Sequence, residues 1–492
     1  MSYLELLKLA SPEAVVVVTA LVVLATGLAS SRASGLCSLI AALGIALAIG
    51  AVIMLPQHAT LFGGMLVITP PTSLFKIICL VLAFFTVLLA QANKSARNHG
   101  EYLAILLLAT IGLMLLVGSE ELLMIFIGLE LTGLSLYVMT GFDKIDIHSA
   151  EAGLKYFLFG STASAFTLFG LSFIYGMAGT TGLAAIGQKL ATAPIQPLLF
   201  AGIVMTLVGF AFKIAAAPFH LWAPDAYQGG PIPSAAFIAS GSKVASFVVL
   251  GKIVLVGFGA KAGSADWHAM VAGWAPVLAA IAALSILLGN LVALAQTNVR
   301  RLLAYSAVAH AGYTLLGLIA CSHEGFSATL FYTTIYAFTL VGAFGVVAVV
   351  RRDTGGDDLP NFAGLAARSP LLAGCMSIFL LSLAGLPPLA GFFGKFYLFS
   401  AAFRAGADHG LLWLVALALF GSLISLYYYL IVLKVIFVDE ASVSTTQSFN
   451  RSGSVDVDLL PKATISLLAA VVLFLGLMPQ LLVGRIMAAL VE

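Results

Sequence analysis

The apolar runs in this sequence are too continuous for any soluble surface. Val15 to Leu28, Ile77 to Ala90 and Leu103 to Val117 contain no charged residue. A helix that is apolar on every face must be surrounded by lipid or by other helices. In hydrocarbon every backbone polar group needs an internal partner, which leaves helices as the economical way across. Of 492 residues 61% are hydrophobic and only 9% charged, where a soluble chain carries about 25% charge. The reading is an all-α polytopic membrane protein. A soluble enzyme and a nucleic-acid-binding module are both excluded. The first apolar run follows a segment of mixed sign (Glu5, Lys8, Glu13) and precedes many similar runs, so it reads as a first membrane helix and not a signal peptide. Cys37, Cys79, Cys321 and Cys375 are scattered singly, which argues against a cluster, haem or zinc site on this chain.

At about 20 residues per crossing, about fourteen spans are expected: 12–31, 35–55, 73–92, 101–118, 120–141, 149–177, 197–222, 232–258, 270–295, 299–320, 326–350, 369–403, 409–438 and 461–487. Only Asp439 to Asp458 resembles a solvated loop of any length. Loops on one side hold Arg32, Lys94, Arg97, Lys144, Arg300, Arg301, Arg351, Arg352, Arg368, Lys434, Arg451 and Lys462; the other side holds Lys8, Lys76, Lys189, Lys261, Arg404 and Arg485. The positive-inside rule then puts both termini on the periplasmic side of a bacterial inner membrane.

Against this background Lys155, Lys213, Lys243 and Lys395 lie inside apolar segments, and Glu130 lies inside another. A charge at the bilayer centre costs about 2.5–3.5 kcal/mol on insertion scales, so intramembrane ionisable residues are functional candidates by default. Lys252, near a helix end, can snorkel and is set apart. Two spans look broken, at Pro218 and at Pro387-Pro388, because proline removes a donor and clashes with the preceding turn. Freed carbonyls at membrane depth survive only inside protein or against water. Lys213 precedes Pro218 by five residues and Lys395 follows Pro388 by seven. The bland alternative is a packing kink; lysines beside both breaks favour a hydrated functional one.

Protons cross a bilayer by hopping between groups that accept and release them. Burial makes a lysine's charge costly and a nearby carboxylate offsets that cost, so Glu130 and Lys213 are candidates for a switching pair. Lys243 would carry the proton laterally and Lys395 toward an exit. Static pairing cannot satisfy four lysines with one central acid. Glu151 and Lys155 are four residues apart on one helix, so Lys155 is open to a local pair. His310 is an accessory relay candidate; His220 and Asp225 read as structural. No phosphate loop, dinucleotide fingerprint, metal cluster or catalytic triad is present, so redox chemistry would have to come from partners.

Gly128-Leu129-Glu130-Leu131-Thr132-Gly133-Leu134-Ser135-Leu136-Tyr137-Val138, Ala152 to Gly160, Phe212 to Lys243, and Gly385-Leu386-Pro387-Pro388-Leu389-Ala390-Gly391-Phe392-Phe393-Gly394-Lys395 together resemble the antiporter-like membrane subunits of respiratory complex I, the proton-pumping NADH:quinone oxidoreductase, of the subunit N type. The resemblance covers most of residues 100–435. It implies two inverted five-helix repeats, helices 4–8 and 9–13, broken at helices 7 and 12. The corresponding division is 1–100 for the first three helices, 101–260 and 261–440 for the repeats, and 441–492 for a loop and last helix. It further implies that Glu130, Lys213, Lys243 and Lys395 form the proton path, with Lys155 and His310 accessory. Flavin, iron–sulfur clusters and quinone are expected on partner subunits, with none on this chain. Partners would be other membrane-arm subunits, including sister antiporter-like subunits, and lipid. Lys395 argues against the subunit M type, which has a glutamate there, and the length argues against subunit L. A sodium/proton antiporter or membrane-bound hydrogenase subunit of the same fold is the alternative, and a purely structural scaffold is a third reading.

Overall fold

The apolar runs fold as helices joined by short loops. The computed structural model describes residues 3–30, 34–92, 98–192, 194–405, 409–440 and 458–491. In chain order the helices are α1 (Tyr3–Leu9), α2 (Ser11–Ala29), α3 (Ser34–Ile53), α4 (Pro70–Ala92), α5 (His99–Gly118), α6 (Leu122–Thr140), α7 (Ile147–Ala178), α8 (Leu183–Thr192), α9 (Pro197–Lys213), α10 (Trp222–Gly229), α11 (Ile232–Phe237), α12 (Lys243–Lys252), α13 (Trp274–Leu294), α14 (Val299–Ile319), α15 (His323–Thr354), α16 (Leu365–Arg368), α17 (Pro370–Ala384), α18 (Ala390–Arg404), α19 (Leu412–Phe437), α20 (Leu459–Leu477) and α21 (Gln480–Val491). A small antiparallel hairpin, β1 (Ala59–Leu61) with β2 (Leu66–Ile68), closes one end.

Among the described residues twelve helices are long and apolar enough to cross a membrane. Two more apolar segments are interrupted: α9 and α17 are shorter, and each is followed by irregular backbone and a second short helix. α11 and α12 run on as one helix, Ile232–Gly257, through π turns at Ile238–Ser242 and Ile253–Gly257. Such turns often mark functional positions, and Lys243 directly follows the first.

α14, α15 and the Ile232–Gly257 helix are enclosed on nearly every side, whereas α2, α3, α7 and α19 turn leucines outward. This sorting places the ionisable residues of α12 and α14 out of contact with lipid. α15 packs against α14, α17, α18 and α20, and α13 packs against α14. Close helix approach depends on small residues: a β-carbon on Gly27 of α2 would lie 2.7 Å from the Gly100 Cα of α5.

Two residues counted among the loop charges are buried and paired. Lys76 lies within α4, 4% exposed and 2.7 Å from Glu13 of α2. Arg300 sits in the first turn of α14, buried and paired with Asp357. Lys252 is mostly enclosed and donates to the Val117 and Ser119 carbonyls at the end of α5, at 3.0 and 3.3 Å. Arg32, Lys94, Arg97, Arg451 and nearly all of the expected loop from Asp439 to Asp458 lie outside the described residues.

Candidate functional site

The two breaks are built alike. α9 ends with the Ala216 N–H donating to the Ala211 carbonyl at 2.8 Å and the Ala215 N–H to the Phe212 carbonyl at 3.0 Å, with Ala215 left-handed at φ +58°. α17 ends with the Leu386 N–H donating to the Leu381 carbonyl at 3.1 Å and the Gly385 N–H to the Ser382 carbonyl at 3.0 Å, with Gly385 at φ +87°. Both are Schellman closures. In each, a proline stands three residues past the left-handed one, Pro218 after Ala215 and Pro388 after Gly385. The proline cannot continue the helix, and the Ala217 N–H, freed from any ladder, donates to the Ser285 hydroxyl of α13 at 2.8 Å.

Three buried lysines share one style of docking. Lys213, the last residue of α9, points its Nζ at the Leu129 carbonyl of α6 (3.4 Å) and the Tyr137 hydroxyl (3.5 Å), with the Tyr137 ring centroid 5.5 Å away. Gly133 makes room for it, since a β-carbon there would stand 2.5 Å from that Nζ. Lys243 donates to the Ala307 carbonyl of α14 at 2.7 Å and lies 5.3 Å from the Tyr336 ring centroid. Lys395 donates to the Ala384 carbonyl at 2.9 Å and the Ser422 hydroxyl at 2.8 Å, 5.2 Å from the Tyr313 ring centroid. Ala384 is the last residue of α17, so Lys395 sits at the negative end of that half-helix. None of the three forms an ion pair among the described residues.

Buried polar groups lie between the latter two, which meet them only through the Tyr336 and Tyr313 ring faces. His310, 2% exposed on α14, hydrogen-bonds the Tyr332 hydroxyl through Nδ1 and the Tyr429 hydroxyl through Nε2 at 3.2 Å. Tyr429 also bonds Ser306. Tyr313, beside Lys395, accepts from Asn290 Nδ2 at 2.8 Å, and Tyr428 donates to Asn290 Oδ1 at 3.2 Å. Nothing in their local sequence singles out these tyrosines, because aromatic residues are ordinary in apolar helices. Among the described residues no direct hydrogen bond links Lys213 to Lys243.

Glu130 and Lys213 are not ion-paired. Glu130 is half-buried and accepts from the Ser164 hydroxyl of α7; Lys213 instead meets the carbonyl of the residue before it. Lys155 is not a buried lysine at all. It is 42% exposed and held by Glu151 at 2.7 Å and Asp225 at 2.9 Å. Asp225 also pairs with Arg301 at 2.8 Å. Burial alone would raise the Asp225 carboxyl, but hydrogen bonds from Lys155 and Arg301 outweigh it and hold the group below its ordinary value. Among the described residues no group of three or more His, Cys, Asp and Glu is arranged to hold a metal ion. A mostly apolar cavity of about 310 Å³ flanks Lys395, lined by Phe392, Phe396, Phe399, Phe403, Leu419 and Ser422, and Phe396 is open to the outside of the bundle.

Residues 119–425, which include both breaks and all three docked lysines, match the family described as NADH:quinone oxidoreductase/Mrp antiporter, membrane part. The chain belongs to that family. NADH-quinone oxidoreductase subunit N 2 of Acidobacterium capsulatum is 45% identical over 98% of each chain. A chain of respiratory complex I from Thermus thermophilus superposes with a TM-score of 0.78 at 32% identity, over 96% of this chain and 98% of that one. A chain of the Mrp complex from Dietzia sp. superposes with a TM-score of 0.84 at 22% identity, over 98% and 97%, and that likeness concerns the fold.

Proposed function

We infer that this chain is a proton-translocating membrane-arm subunit of NADH:quinone oxidoreductase, of the subunit N type, whose redox chemistry resides in partner subunits. The observation that carries the reading is the docking of Lys213, Lys243 and Lys395 on backbone carbonyls and tyrosine faces without a carboxylate counter-ion. A cation held only by dipoles exchanges its proton in response to small changes in the local field. The route runs from Glu130 and Lys213 through Lys243 and His310 to Lys395. Its first gap, between Lys213 and Lys243, needs water. The Tyr336 hydroxyl, beside Lys243 and without a hydrogen-bond partner among the described residues, is a group that water can join. Lys155 belongs outside this route, because two carboxylates fix it.

The like-built breaks support two inverted five-helix repeats, with the interrupted segments as spans seven and twelve of about fourteen, and the division at residues 100, 260 and 440. The membrane is the bacterial inner membrane, with both termini periplasmic. Flavin, iron–sulfur clusters and quinone sit on other subunits. Sister antiporter-like subunits pack on the flanks, where Lys395 approaches the surface beside its cavity. The subunit N relative, matched over 98% of its length, favours this over an Mrp-type antiporter role.

The test is Lys213→Met and Lys395→Met in the assembled complex in proteoliposomes. NADH-driven proton uptake should fall to a small fraction of wild type while the complex remains assembled. Normal pumping by both variants would refute the reading.

A further inference from the structure

α10 has no role in the route just described, yet it is held by stacked rings, a hydrogen bond and two ion pairs. It is eight residues long and is suspended between the irregular backbone after Lys213 and the Gly229-Gly230-Pro231 turn. Its inner end is aromatic. Trp222 stacks on Tyr156 of α7, ring centroids 4.1 Å apart and 6° from parallel, and lies 5.2 Å from the Phe212 ring. The Trp222 Nε1 donates to the Phe212 carbonyl at 3.1 Å, next to Lys213. Tyr156 in turn meets Tyr137 edge-on at 4.6 Å, and Tyr137 is the ring under Lys213.

Its outer side is charged. A polar cleft of about 280 Å³ is lined by Asp146, His148, Glu151, Asp225, Gln228 and Arg300, and His148 and Glu151 are exposed. α7 gives the depth scale. Ala152 lines the cleft, Tyr156 lies one turn further in, and at Gly160 there is room only for the Tyr137 ring. At 1.5 Å per residue, the cleft and the Lys213 pocket are separated by about 12 Å. Tyr156 and Trp222, each 1% exposed, fill that interval.

Charge and ring are coupled through the chain. Lys155 adjoins Tyr156, and Asp225 lies one helical turn beyond Trp222. The Lys155–Asp225 and Arg301–Asp225 pairs therefore fix the positions of the two stacked rings. Arg301 also holds Gln228 at 3.2 Å, and it belongs to α14, whose Ala307 carbonyl holds Lys243. Asp225 stands ten residues past the left-handed Ala215, as Lys395 stands ten past Gly385. The second half thus uses this position for a docked lysine and the first for a latch.

We propose that α10 is a gate over Lys213, closed by Trp222 on Tyr156 and latched by the ion pairs of Asp225 to Lys155 and Arg301. Opening connects the cleft to Lys213, and the proposal rests on the proton-translocation reading above. The latch suits a moving part. Its members are 42%, 28% and 32% exposed, and pairs so exposed are individually weak and readily broken.

The test uses the assembled complex in proteoliposomes, with two readings on each variant: protons moved per NADH oxidised, and amide hydrogen exchange over residues 222–230. Asp225→Asn should raise the open population about fivefold, the equivalent of about 1 kcal/mol, speeding exchange by that factor and lowering the proton-to-NADH ratio while NADH oxidation continues. Trp222→Ala should do both more strongly, and Trp222→Phe, which keeps a ring, should largely restore wild-type coupling. Should Asp225→Asn not assemble, Lys155→Met, which leaves the Asp225–Arg301 pair, takes its place. Wild-type coupling and unchanged exchange in Asp225→Asn (or its substitute) and Trp222→Ala would overturn the gate. Exchange is read without turnover, so a failure of Lys213 to act as a carrier shows separately, as normal pumping by Lys213→Met.

Discussion

Replacing Gly385 by alanine tests whether the second break exists to seat Lys395. Gly385 has φ +87°, and a β-carbon on it would stand 2.9 Å from the Lys395 Cδ and 3.4 Å from its Nζ. Two costs add. A non-glycine residue in the left-handed region costs about 1–2 kcal/mol. Pushing the lysine stem aside loosens its bond to the Ala384 carbonyl, and a hydrogen bond to a charged group contributes about 1.5–3 kcal/mol. The expected destabilisation is about 2.5–5 kcal/mol, local to the break. The first break supplies the control, because Ala215 already occupies the equivalent position at φ +58°. Backbone strain alone is therefore tolerated, and loss beyond it measures displacement of Lys395. The assay is heat inactivation of the assembled complex together with protons moved per NADH in proteoliposomes. Both should fall, with NADH oxidation retained in the complex that survives. Unchanged coupling and unchanged heat stability would refute the argument that this glycine is required by the lysine.

Ala215→Gly should leave heat stability within about 1 kcal/mol of wild type, relief of left-handed strain being offset by a more flexible unfolded chain; a larger loss in the same heat assay would contradict the αL closure. Tyr429→Phe removes the hydroxyl shared by Ser306 and His310, leaving buried groups unpaired at about 1–3 kcal/mol, and pumping measured against NADH oxidation should slow. Glu130→Gln keeps an acceptor for the Ser164 hydroxyl but removes the charge, so assembly by native gel should be normal and pumping reduced; full pumping would take Glu130 off the route. Ser422→Asp places a carboxylate where a hydroxyl now lies 2.8 Å from Lys395; at about 4 kcal/mol of attraction it should hold the proton and stop pumping without loss of assembly, and pumping at the wild-type rate would show that Lys395 does not have to release a proton.

The membrane helices were legible because continuous apolar runs leave few alternatives, and the breaks were legible because proline has a fixed chemical consequence. Lys213, Lys243 and Lys395 could be selected from insertion cost alone. The errors came where a residue's surroundings depend on other helices. Lys155 sits in an apolar stretch, but α7 is long enough to carry it to the cleft, where Asp225 arrives from a distant segment. Lys76 lies only a few residues inside the expected span and reads as a charge at its end, but its partner Glu13 comes from α2 and buries it. Glu130 and Lys213, expected as a switching pair, lie apart because the lysine meets the neighbouring Leu129 carbonyl and Glu130 accepts from Ser164. The tyrosines around His310 come from α15 and α19, and nothing in the local sequence distinguishes them from packing residues.

Lys155 and Lys395 show within one chain two ways of holding a lysine. A carbonyl inside an intact helix already accepts one hydrogen bond and offers only its second lone pair, as Leu129 does to Lys213 and Ala307 to Lys243. Two opposite charges 4 Å apart attract by about 4 kcal/mol at an effective dielectric of 20, which for a pair shielded from water favours the protonated lysine by about a thousandfold at 1.4 kcal/mol per tenfold. Lys155, 42% exposed beside Glu151 and Asp225, is held more weakly by each pair, but two full negative charges still favour its proton. Lys395 instead takes the carbonyl that the end of α17 leaves free, a hydroxyl and an aromatic face. An aromatic face contributes about 0.5–2 kcal/mol, and none of these partners carries a full charge to hold the proton in place. The break thus supplies acceptors that bind the ammonium without fixing it. That is the physical difference between a charge that ties helices together and one that can pass its proton on.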